Sequence, residues 1–91
     1  MILATKIHFK YGCPDHPSEQ DIQTIYLSGE GLEGFYPKEQ VHDMLVRRET
    51  IRVGIYPYPA LEEITSSKRE KYVRSMFNES RHDNLLNLPR A

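Results

Sequence analysis

The sequence predicts an α+β domain: a mostly antiparallel sheet of about five strands, one helix packed on a face, and a short C-terminal helical turn. Three observations carry this. Apolar and polar residues alternate over several short segments. One segment alone, residues 37–48, repeats its apolar side chains at helical spacing. The strands lie too close in sequence for parallel crossovers, except where that helix intervenes.

The first strand, residues 2–11, sets Leu3, Ile7, Phe9 and Tyr11 on one face and Lys6, His8 and Lys10 on the other. Gly12, Pro14 and Pro17 then impose a loop. The second strand, residues 21–29, sets Ile25 and Leu27 against Ile22, Thr24 and Tyr26 and pairs antiparallel with the first. In GEGLEG, Gly29, Gly31 and Gly34 read as a connecting loop that needs positive φ. Glu30 and Glu33 repel phosphate there, and no P-loop lysine follows in register. The helix, residues 37–48, opens on Pro37 and Glu39, buries Val41, Met44 and Leu45, and ends on Arg47 and Arg48 in its last turn. A third strand over residues 50–59 turns Ile51, Val53 and Ile55 one way, and Pro57 and Pro59 stop its pairing. Residues 60–65 and 71–77 form a closing hairpin around SSKRE. Val73 and Phe77 lie on one face of its second strand, with Tyr72, Arg74 and Met76 on the other.

The closing DNLLNLP, residues 83–89, is more apolar than a fraying end. Asp83 or Asn84 is expected to cap a single turn. Leu85 and Leu88, three apart, share one side of it, and Pro89 stops it. Burying both leucines is worth about 3–6 kcal/mol before entropy, so the tail reads as a plug on an edge or open end of the sheet.

The last segments resemble domain-of-unknown-function family 3892, small bacterial and phage proteins. The resemblance rests on Tyr72, Val73, Arg74 and Ser75 and on Asp83, Asn84, Leu85, Leu88 and Pro89. Ser75 stands where the family pattern has threonine, and Ala91 where it has cysteine. The resemblance implies a bacterial or phage cytoplasmic origin and names no activity.

The 91 residues make one small domain, 38% apolar and 27% charged. Such a core is marginal, and a homodimer would relieve it. A net charge of −1 excludes a domain-wide positive field for nucleic acid. A single cysteine, Cys13, allows no internal disulfide and argues for the reducing cytoplasm. No apolar run approaches the roughly 20 residues of a membrane span, and MILATKIHFK lacks the pattern of a signal peptide.

Chemistry-bearing constellations are few. Cys13 and His16 have the spacing of half a zinc site, with Asp15 as a further donor, but no second close pair completes it. A Cys13–His16 nucleophilic pair lacks a visible oxyanion site, so no catalytic set, cofactor or metal is expected. Glu62 and Glu63 are strand neighbours that point apart, with Glu63 expected to pair with Lys68 or Lys71 across the hairpin. The candidate interaction surface is basic and tyrosine-rich: Arg47, Arg48, Arg52, Tyr56, Tyr58, Lys68, Arg69, Lys71, Tyr72 and Arg74. It forms one patch if the helix end and hairpin tip lie on one side, and Glu49, Glu62, Glu63 and Glu70 dilute it. The expected function is a non-enzymatic binding or regulatory module for a protein partner or small ligand. A nucleic-acid or nucleotide binder using that basic surface is the alternative, and an enzyme dependent on Cys13 is the least favoured reading.

Overall fold

The structure, a computed structural model, describes residues 1–12, 19–55, 58–76 and 84–90. In chain order come β1 (Ile2–Phe9), β2 (Ile22–Gly29), β3 (Leu32–Pro37), α1 (Lys38–Val46), β4 (Ile51–Val53), β5 (Leu61–Thr65) and β6 (Lys71–Ser75). A 3-10 turn at Glu19–Asp21 precedes β2, and another at Asn84–Asn87 follows β6. The class is α+β. The strands form two sheets: four strands ordered β3-β2-β1-β4, and the β5–β6 hairpin. β1 and β4 are parallel, with α1 in the crossover, and the other pairs are antiparallel.

The sixth strand comes from the glycine-rich segment. Only Glu30 and Gly31 turn there, with φ of 52° and 85°. Two successive positive φ values are what a tight two-residue hairpin demands. From Leu32 on, the chain pairs with β2, and Phe35 and Tyr36 supply β-favouring bulk. Gly29 lies so close to β1 that a Cβ there would strike the carbonyl oxygen of Met1.

Two bulges correct the strict alternation expected of the first two strands. The register slips between Ala4 and Lys6 and again between His8 and Phe9. Thr5 is the extra residue in β1, so Ile2 and Ala4 share the buried face with Ile7, while Leu3 lies on the other. Gln23 is the extra residue in β2, which brings Ile22 to the face of Ile25 and Leu27. Tyr11 lies beyond β1 and is exposed.

Among the described residues, α1, the β5–β6 hairpin and the tail cover this one buried face. Val41, Met44 and Leu45 of α1, Leu61 and Val73 of the hairpin, and Leu85 and Leu88 of the tail join it in a single core. The Ile7 N–H donates to the Pro89 carbonyl at 3.0 Å, and the Arg90 guanidinium sits 4.6 Å from the Phe9 ring centre. The tail thus continues the edge of β1 that β4 leaves open. Asn84 opens its turn, whereas the capping role expected of Asp83 lies outside the described residues.

The third expected strand ends early, at Val53. Beyond it the Val53 N–H reaches the Pro59 carbonyl at 2.8 Å, Tyr58 takes a φ of 59°, and one bridge, Arg52 to Ala60, links the sheets. Helix α1 also stops short of the expected limit. Arg48 has a φ of 69°, its N–H donates to Leu45 O, and the Glu49 N–H donates to Met44 O. This is a Schellman ending with arginine where glycine is usual, so Arg47 and Arg48 lie past the last helical turn.

Candidate binding face

Among the described residues, α1, the hairpin and the tail pack on one side of the four-stranded sheet, and no described element packs on the other. Register sets the side chains of that outer side in rows. Phe35, Tyr26 and Lys6 are cross-strand neighbours on β3, β2 and β1. The Phe35 and Tyr26 rings meet edge to face with centroids 5.0 Å apart, and the Lys6 ammonium stands 5.3 Å from the Tyr26 centroid. Phe35 is 44% exposed. The adjoining row runs Glu33, Ser28, Leu3 and Arg52. An open groove of about 530 Å³ lies beside it, lined by Met1, Leu3, Arg52 and Tyr58.

Electrostatics sort these rows. Glu33 accepts from the Tyr26 hydroxyl at 2.5 Å and from Ser28 Oγ at 3.2 Å. The hydrogen bond to Glu33 raises the Tyr26 pKa, so the phenol keeps its proton. Arg52 donates to the Tyr58 carbonyl at 3.0 Å. Among the described residues, neither Lys6 nor Arg52 has a carboxylate partner.

A second polar cluster lies inside the fold. Lys38, the first residue of α1, is 1% exposed. Its Nζ donates to the Gln20 carbonyl at 2.6 Å and to Glu70 Oε1 at 2.5 Å, and Lys10 Nζ reaches the same oxygen at 3.0 Å. The lysine hydrogen bonds, that of Lys38 foremost, hold the Glu70 carboxyl down at about 2. Burial pushes the Lys38 pKa down, while Glu70 opposes that shift. With so little exposure, Lys38 ties the hairpin to the 3-10 turn ahead of β2 and offers no open site.

The expected basic surface is not gathered into one patch. Glu70 at the hairpin tip touches Lys38, the first residue of α1, while Thr65 and Lys71 reach His42 and Asp43 at its middle. Arg47 and Arg48 lie at its far end, about 13 Å along a nine-residue helix. Lys71 pairs with Asp43 at 3.1 Å, Arg74 with Glu62 at 2.5 Å, and Arg47 with Glu49 at 3.8 Å. Glu63 lies opposite Val73, and Lys71 is held by Asp43 instead of the expected Glu63. Lys68 and Arg69 are exposed at the tip, and Tyr72 is half-buried opposite Ile64. Only Arg52 and Tyr58 reach the outer sheet side; Tyr56, Cys13 and His16 lie outside the described residues. The described residues hold no group of three or more His, Cys, Asp or Glu fit for a metal, and no helix long and apolar enough to cross a membrane.

Sequence reading misses Phe35 and Tyr26 as a pair because the glycines conceal β3. A run of β-favouring Phe35 and Tyr36 after a Glu-Gly turn is the signal that finds it.

No family model, curated protein or solved structure matches this chain.

Proposed function

We propose that the protein is a non-enzymatic binding module whose working surface is the outer side of the four-stranded sheet. One observation carries this reading: the Phe35–Tyr26–Lys6 row stands on the side away from the core, with Phe35 substantially exposed. Exposed aromatics grouped with cations mark contact surfaces, because large rigid rings lose little entropy on binding. The lone Cys13 supports a cytoplasmic setting. Kinship with family 3892 rests on the Tyr72–Ser75 and Asp83–Pro89 motifs alone.

Backbone amide shifts of the labelled chain, titrated with separated protein, nucleic-acid and metabolite fractions of a cell extract, test the reading. Perturbations centred on Lys6, Tyr26 and Phe35 are expected. Perturbations confined to the hairpin tip around Lys68 and Arg69 would move the working surface there.

A further inference from the structure

Resting on that reading of the sheet, we propose that its outer side binds single-stranded nucleic acid, with bases stacked on Phe35 and Tyr26 and phosphates held by Lys6 and Arg52. The chemistry needs two things on one surface: ring faces that accept any base, and cations with no carboxylate partner to keep them from phosphate. Both are present. The two rings lie on adjacent strands, with Lys6 on the next strand and Arg52 on the strand beyond. Neither cation is neutralised by a described carboxylate, unlike Lys71 and Arg74, which are.

The one carboxylate in the two rows, Glu33, is occupied by Tyr26 and Ser28. It lies on β3, the strand of Phe35, and Lys6 and Arg52 lie on β1 and β4. The surface is therefore polarised, with acceptor oxygens at the aromatic end and cations at the other. A strand laid across it sets its phosphates toward β1 and β4 and its bases toward β2 and β3. An exocyclic amine of a base then has Glu33 within its end of the surface, since carboxylates accept from such amines. A duplex hides its base faces and gains nothing from the rings, so the chemistry selects single strands.

Fluorescence anisotropy with a labelled single strand of roughly 12 nucleotides, inside the ~4–16-nucleotide footprint of small single-strand binders, tests this. Binding is expected to weaken with salt, with a log–log slope of roughly −1 to −1.5 for two phosphate contacts. Phe35→Ala should weaken it about ten-fold or more, as loss of one stacking ring does. Lys6→Ala with Arg52→Ala should flatten the salt slope, and a duplex of the same sequence should bind more weakly. Thermal melting verifies that each variant is folded, and the charge variant tests the surface independently of Phe35. Duplex binding as tight as single-strand binding would overturn the proposal. So would loss of binding on Lys68→Ala with Arg69→Ala but not on Phe35→Ala. If no strand binds, yet Phe35→Ala abolishes self-association measured by light scattering, the nucleic-acid proposal fails and the binding face stands. If neither responds to Phe35→Ala, both fail.

Discussion

Lys38 shows how a single buried charge depends on its partners. Its ammonium is desolvated, so its favourable contacts reside in Gln20 and Glu70. Removing the carboxylate strands the cation, whereas removing the cation leaves Glu70 at the surface with Lys10. Chemical denaturation should therefore find Glu70→Gln destabilising by about 2–3 kcal/mol, with Lys38→Met within about 1 kcal/mol of wild type. Equal losses for the two variants would contradict this account. Arg48 is the opposite case, a residue whose backbone works against it. A left-handed conformation costs a side-chain-bearing residue roughly 1–2 kcal/mol, and glycine recovers part of that against its greater unfolded freedom. Arg48→Gly should raise stability by about 0.5–1 kcal/mol, read as a higher Tm.

Among the elements, the tail and α1 were the most legible in sequence, because each announces itself by apolar spacing. Val41, Met44 and Leu45 fall on one helical stripe, Leu85 and Leu88 on one side of a turn, and all five are buried. The plug has measurable weight: Leu85→Ala should cost about 2–5 kcal/mol, the range for a leucine truncated in a closed core, and Leu88→Ala should also cost stability. Melting temperatures unchanged in both would remove the plug. Strands were less legible. Period-two reasoning places Leu3 with Ile7 and sets Ile22 apart from Ile25, and one inserted residue in each strand reverses both assignments. A bulge needs no signature residue in its own strand, since it is fixed by what the partner strand must bury. Gly34 misleads differently, because it lies inside β3 where glycine ordinarily signals a loop.

At the scale of the whole molecule, Glu70 contributes to the acid limit. Its folded value of about 2 lies below its ordinary 4.5, so its contribution is fully present above about pH 4.5 and lost as pH falls through 2. Stability measured across that window should decline, and the decline should be shallower in Glu70→Gln. The α+β class was readable from the sequence, whereas the division into two sheets was not. Tyr58 turns left-handed beside Pro59 between the two sheets, and nothing in the local pattern requires that of a tyrosine. The basic side chains failed to converge for a related reason: composition counts charges, and only the packing of Glu70 against Lys38 and of Thr65 against His42 fixes where along the helix they fall. The joining of Ile7 to Pro89 also has a consequence for biosynthesis. As the chain leaves the ribosome, β1, β2 and β3 are available to pair long before β4 or the tail emerges. Until then β1 carries a bare hydrogen-bonding edge, which another nascent chain on the same messenger is well placed to occupy. Assembly is safest where translation through the last segment outpaces such encounters.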